Sequence, residues 1–169
     1  MNRSKISRPT TSRIIKSLFD IIGDIRGFSF LDLFAGKGRV GIEALKRGAR
    51  EVVFVEREIC YIDEIKKNLL VFDSVNYRII TLDVFRAIKI FKKEHSVFDI
   101  IFLDPPYSKG VVKKTLKILA LYDILAPCGF IIIQHYKKET LPYNLGDLIL
   151  FRQNSYSETL LSFYQKQTN

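Results

Sequence analysis

Apolar residues between 12 and 22 fall at Ile14, Ile15, Leu18, Phe19 and Ile22. That spacing places them on one face of a helix, and Thr10, Thr11 and Ser12 stand where an N-cap belongs. The pattern then changes to short runs of β-branched and aromatic residues. Residues 28–34, 51–56, 77–81, 98–103 and 130–134 read as strands, and VVFV and DIIFL among them carry almost no polar interruption. Helical spacing returns between the runs, over 40–47, 61–70, 84–91 and 112–121, and Gly48 is placed to end the first of these. Two closing strand-like runs, 147–151 and 158–164, have no long helical pattern between them.

A strand buried on both sides shows no polar face. Continuous apolar strands alternating with helices therefore predict a mostly parallel sheet covered on both faces. The expected fold is α/β and Rossmann-like: a seven-stranded sheet with six parallel strands and one antiparallel edge strand, the last two runs forming a hairpin at that edge. A single domain over residues 1–169 is expected. Ligands of such sheets sit at the carboxyl ends of the strands, near the switch in strand order. Functional residues should then follow the first four strands.

Charge adds a partner. The net charge is +9, and residues 1–13 form a basic arm in which Arg3, Lys5, Arg8 and Arg13 precede the first acid, Asp20. Such an arm attracts phosphate backbones without reading sequence. It lacks the apolar stretch of a secretory leader, and no run is long enough to span a bilayer, so a cytoplasmic protein with no membrane partner is expected. Cys60 and Cys128 are too few for a disulfide or zinc framework and are expected as buried or half-buried thiols. His95 and His135 make no metal spacing and read as loop or strand-end residues.

The first strand runs into Asp32-Leu33-Phe34-Ala35-Gly36-Lys37-Gly38-Arg39-Val40-Gly41, in which Gly36, Gly38 and Gly41 fit G-x-G-x-x-G. Glu56, at the end of the second strand, is placed to accept from the two hydroxyls of a ribose. Those features suit NAD and S-adenosyl-L-methionine alike, because both carry adenosine. Asp32 favours the latter. A carboxylate there meets an ammonium or sulfonium, whereas a pyrophosphate gains nothing from it. Asp83, at the end of the third strand, is placed to accept from an adenine amino group. The phosphate-loop pattern fails, with Leu31 at its first glycine and Gly38 at its Ser/Thr.

The fourth strand ends in Asp104-Pro105-Pro106-Tyr107. Two prolines fix φ and remove two backbone donors. The Asp104 carboxylate and the Pro105 carbonyl can then both accept from one NH₂ group, while Tyr107 offers a ring to stack on a base. An exocyclic amine is a poor nucleophile because its lone pair is delocalised into the ring. Two acceptors on its hydrogens favour a pyramidal nitrogen and aim that lone pair at an electrophilic methyl. A stacked base cannot reach such a site, so the target must be flipped out or already unstacked.

LDLFAGKGRVGIEALKRGA, VVFVE and IIFLDPPY, with Arg8-Pro9-Thr10-Thr11-Ser12-Arg13 ahead of the first helix, resemble the bacterial 16S ribosomal RNA guanine-N2 methyltransferase family, a class I S-adenosylmethionine-dependent group, from about residue 8 to 165. The resemblance implies methyl transfer from S-adenosyl-L-methionine to N2 of a guanine, with ribosomal RNA or the small-subunit particle as partner and a monomeric enzyme. It places Asp32, Phe34, Gly36 and Gly38 along the methionine end of the cofactor, Glu56 at the ribose, and Asp83 and Val84 at the adenine. It gives Asp104, Pro105, Pro106 and Tyr107 the guanine, and Arg8, Thr10 and Arg13 the closure over cofactor and RNA. Three departures stand out: only seven residues precede Arg8, where the family carries a basic β-hairpin; Ser12 replaces an acid; and Lys37 replaces a small residue and is expected to point to solvent. Adenine-N6 or cytosine-N4 methylation of DNA or RNA, a nicotinamide-dependent oxidoreductase and an inactive RNA-binding or assembly module are the alternatives.

Overall fold

The Thr11 hydroxyl accepts from the backbone N–H of Ile14 at 3.4 Å and opens α1 (Ser12–Ile22), whose stripe of Ile14, Ile15, Leu18 and Phe19 is buried. Residues 11–73, 76–106 and 110–167 are described by this structure, a computed structural model. After α1 come β1 (Ser29–Leu33), α2 (Arg39–Lys46), β2 (Glu51–Val55), α3 (Ile59–Leu69), β3 (Tyr77–Ile80), α4 (Val84–Lys93), β4 (Phe98–Leu103), α5 (Val111–Tyr122), β5 (Leu125–Tyr136), β6 (Asn144–Leu145), β7 (Leu148–Tyr156) and β8 (Thr159–Lys166).

The strands form one sheet in the order β3-β2-β1-β4-β5-β8-β7-β6, with β3 through β5 parallel and β8 antiparallel to both neighbours. Strand order reverses between β1 and β4, which opens the crevice that such sheets use for ligands. This corrects the expected layout in two respects. Eight strands are present among the described residues, because the two residues of β6 pair with β7. Two strands, not one, oppose the parallel set: β6 at the edge, and β8, which lies inside the sheet between β5 and β7. The reason is burial: β8 carries Leu161, Phe163 and Tyr164, each at most 1 % exposed, while β7 carries the exposed Phe151, Arg152 and Gln153 and takes the outer place.

Each face has its own core. Leu31, Val53, Ile101 and Ile131 pack beneath α4 and α5. Phe30, Phe54, Phe102 and Ile132 pack beneath α1, α2 and α3. Gly41 in α2 lies so close to the sheet that an added Cβ would stand 2.3 Å from the Phe54 ring. Phe54 is fully buried and has nowhere to go. Gly41→Ala is therefore expected to cost about 1–3 kcal/mol of stability by overpacking, measured as a lower midpoint of denaturant unfolding.

The two cysteines are exposed and free, which corrects the expectation of buried thiols. Cys60 lies off the stripe of Ile62, Ile65 and Leu69 that α3 buries. Cys128 sits in the irregular start of β5, where the pairing with β4 shifts register between Phe98 and Ile100. His95 closes α4 at a φ of 54°, as a loop residue. Among the described residues, no helix is long and apolar enough to cross a membrane.

Candidate active site

The apolar face beneath α1–α3 turns polar toward the carboxyl ends of the strands. Phe30, Phe54, Phe102 and Ile132 mark that face. Side chains alternate along a strand, so Asp32, Glu56, Asp104 and Gln134 follow on it, two residues beyond Phe30, Phe54, Phe102 and Ile132 respectively. Asp32 is paired with Phe54 and Phe102, and Phe102 with Ile132. Glu56, Asp104 and Gln134 therefore form the next row, contributed by β2, β4 and β5.

Asp32 is 1 % exposed and accepts from the Gly41 backbone N–H at 3.0 Å. Burial pushes its carboxyl up to about 8, against the pull of that hydrogen bond, and the charges of Asp104 and Glu56 push in the same direction. The two carboxylates are thus near enough to be felt at Asp32, and a cation placed among the three would relieve them. A folded state that holds this proton more tightly than the unfolded chain is most favoured below the ordinary value of 3.8, and loses that contribution as pH rises toward 8. Asp32→Asn keeps an acceptor for Gly41 but cannot ionise. Its melting temperature is expected to fall less than that of wild type between pH 5 and pH 8.5, as followed by calorimetry without ligand.

Glu56 holds the glycine loop. One carboxylate oxygen accepts from Gly36 N–H at 2.8 Å, and the other accepts from Arg57 and Glu58 N–H at 2.8 and 2.9 Å. A carboxylate has about four acceptor positions, so room for a further donor remains. Phe34 takes a positive φ of 66°, a costly conformation for an aromatic residue and one that clusters at functional sites. Gly38 caps α2 at a φ of 73°, and a Cβ there would come within 2.8 Å of Ile65. Lys37 points away from the loop and pairs with Glu64 of α3 at 3.0 Å, both half-exposed.

Asp83 has a local duty that sequence reading did not assign. Its carboxylate caps α4, accepting from Phe85 and Arg86 N–H at 3.1 Å each, with the Arg86 side chain 3.4 Å away. Val84 is buried under the helix it begins. Beyond β4, Asp104 and Pro106 are half-buried and Pro105 is buried. Arg13 is exposed on the first turn of α1. Arg8, Thr10 and Tyr107 lie outside the described residues. Two features were not foreseen. The Arg39 guanidinium donates to Ser12 Oγ at 2.8 Å and ties the start of α2 to the start of α1; the family's acid at position 12 hinted at such a partner. The other is Gln134, whose only sequence signal was a polar residue ending an apolar run.

Comparison with known proteins finds relatives of the chain as a whole. The family described as Conserved hypothetical protein 95 matches residues 1–165. A Bacillus subtilis protein, YlbH, provisionally named as an rRNA methyltransferase, is 37% identical over 163 residues, covering 95% of this chain and 89% of its own. A Buchnera aphidicola protein named ribosomal RNA small subunit methyltransferase D is 36% identical over 135 residues, covering 79% of this chain and 70% of its own. Among solved structures, a conserved hypothetical protein of Streptococcus pyogenes superposes with a TM-score of 0.82 at 28% identity, covering 89% of this chain and 94% of that one. SMU.776, described provisionally as a methyltransferase and complexed with SAH, superposes with a TM-score of 0.73 at 17% identity over 90% of this chain and 48% of that one. That likeness is one of fold: the chain has the class I, Rossmann-like methyltransferase fold.

Proposed function

This chain belongs to the family described as Conserved hypothetical protein 95, and on that premise we propose that it transfers a methyl group from S-adenosyl-L-methionine to the N2 amine of a guanine in 16S rRNA of the small ribosomal subunit. The observation that carries the reading is the polar end of one sheet face, where Asp32, Glu56 and Asp104 from three adjacent strands share a single electrostatic environment. Three acids are a poor home for a pyrophosphate and a good one for a cationic ligand. Relatives named as rRNA methyltransferases support the substrate class, and so does the net charge of +9. A cytoplasmic location follows from the same substrate.

The residues present fit that cofactor. Asp32 answers its ammonium and sulfonium, the loop of Phe34, Gly36 and Gly38 passes its methionine end, Glu56 offers a free acceptor position to the ribose, and Asp83 with the Val84 backbone borders the adenine. When bound, the cofactor supplies an electrophilic methyl. The chain supplies the rest. Asp104 and the Pro105 carbonyl accept from the two hydrogens of the guanine amine, fix its orientation and leave its lone pair free. Pro105 and Pro106 present no N–H that would compete for those acceptors. Asp104 stabilises the positive charge that grows on the nitrogen and takes up the proton it sheds, directly or through water. Tyr107 stacks on the base, and Arg8, Thr10 and Arg13 close over the RNA.

The experiment combines purified protein, labelled S-adenosyl-L-methionine and immature small-subunit particles, followed by nucleoside analysis of the digested RNA. Label in N2-methylguanosine is expected. Label in N6-methyladenosine or N4-methylcytidine would transfer the reading to those amines. Absence of label, from protein that binds S-adenosylhomocysteine, would identify an inactive module instead.

A further inference from the structure

Gln134 stands in the same row as Asp104, one strand further along the sheet. Leu103 pairs with Ile133 in parallel register, so the next residues, Asp104 and Gln134, are neighbours. Gln134 is 2 % exposed, and its Oε1 is the buried side-chain oxygen that has no hydrogen-bond partner among the described residues. An amide oxygen withdrawn from water without a partner destabilises the folded chain. An apolar residue of that size would suit the site better if packing were its whole purpose. Its neighbour makes the contrast clear. His135, on the opposite face, is 1 % exposed, but Nε2 meets Ser162 Oγ at 2.7 Å, Nδ1 meets the Tyr136 carbonyl at 3.1 Å, and Gln153 donates to the same Ser162 oxygen at 2.8 Å. On the Asp104 face the Gln134 oxygen is left unsatisfied among the described residues.

We infer that Gln134 is a specificity-determining residue that reads the Watson–Crick edge of the flipped base. The inference rests on the function proposed above. A guanine whose N2 amine is held by Asp104 and Pro105 carries N1–H and O6 on the same edge. A carboxamide presents one acceptor and two donors. Oε1 accepts from N1–H while Nε2 donates to O6, and three side-chain torsions let the group turn from its sealed position toward Asp104. With its amine in the same place, adenine presents the N1 acceptor and cytosine the N3 acceptor where guanine presents N1–H, so the contact selects guanine. A site built to hydrogen-bond its substrate discriminates strongly against bases that lack the matching groups.

The test uses Gln134→Leu, which preserves volume and removes both polar groups, and Gln134→Glu, which keeps an acceptor and loses the donor. Each is assayed with immature small-subunit particles and S-adenosyl-L-methionine. For Gln134→Leu, kcat/KM for the particle is expected to fall by about 10–100-fold, as for loss of one or two buried hydrogen bonds. S-adenosylhomocysteine affinity should stay within twofold, with the melting temperature equal to or above wild type. Gln134→Glu is expected to fall between the two. A Leu variant within twofold of wild-type turnover overturns the inference, as does a parallel loss of cofactor affinity and stability, since a structural residue would give that. Failure of the wild-type protein to label guanine defeats the proposed function instead, and the two failures are told apart by the wild-type control.

Discussion

Asp104→Ala is expected to lower kcat for methyl transfer by about 10²–10⁴-fold while cofactor affinity stays within a few-fold. The carboxylate directly follows β4 in the row that Glu56 begins, beside a buried proline and a half-buried one that donate no hydrogen bond. Its proposed work is done on the amine, and the amine is not part of the cofactor. Removing it leaves the base with one acceptor, the Pro105 carbonyl, for two hydrogens, so the nitrogen relaxes toward the planar, delocalised form whose lone pair is unavailable. The Asp104 charge that faces the cation developing on that nitrogen is lost as well. Asp104→Asn separates these contributions, because it keeps an acceptor oxygen and loses the charge; it is expected to retain more activity than Ala. Its amide must turn its oxygen, not its NH₂, toward the donor amine. A second readout is independent of catalysis. Burial is the main cause that raises the Asp32 carboxyl and the Asp104 charge adds to it, so either variant should lower the Asp32 pKa while burial keeps it above the ordinary carboxylate range, visible by NMR titration. Single-turnover labelling gives the rate and calorimetry with S-adenosylhomocysteine gives the affinity. Equal loss of both would place Asp104 in the cofactor site and undo the assignment of the base to it.

Much of this layout was legible because strand and helix announce themselves by period. The stripe of α1 and the two-sided burial of β2 and β4 are written in residue order, and the rule that ligands sit at strand ends then pointed to Asp32, Glu56 and Asp104. What periodicity cannot carry was missed. The start of β5 is hidden by Pro127 and Gly129, and glycine is needed there because a Cβ would stand 2.6 Å from the Asp99 carbonyl. β6 has two residues, too short for any period. The hairpin of β7 and β8 was evident, but which member meets β5 depends on comparing their burial, and that comparison favours the more apolar β8. Side-chain duties were the least visible. Sequence offered Glu56 and Asp83 as ligands and gave no sign that each also satisfies backbone N–H groups, because those bonds depend on how the chain turns after the strand. An apolar run ending in Gln134 looked like the end of a strand; only the register beside Asp104 gives the residue a meaning.

Glu56→Ala should produce the opposite pattern to Asp104→Ala. Cofactor affinity is expected to weaken by about 10–100-fold, the worth of hydrogen bonds to a charged acceptor, with kcat at saturating cofactor recovering to within a few-fold. The structure adds a second consequence. Glu56 is 9 % exposed and accepts from Gly36, Arg57 and Glu58 N–H. Alanine leaves three donors without their acceptor at a place only partly open to water, and frees the loop that the Gly36 bond pins to the end of β2. A stability loss of about 1–3 kcal/mol is expected from that alone, measured by denaturant unfolding without ligand. Glu56→Gln retains one oxygen but turns an NH₂ toward either Gly36 or the Arg57–Glu58 pair, donor against donor, so it should be intermediate in both measurements. The two effects need not travel together. If Ala lowers stability while S-adenosylhomocysteine binds as tightly as to wild type, Glu56 is a clamp for the glycine loop and the ribose is held elsewhere. If affinity falls in proportion to the acceptors removed, from Glu through Gln to Ala, the carboxylate serves loop and ribose together, which its remaining acceptor position permits.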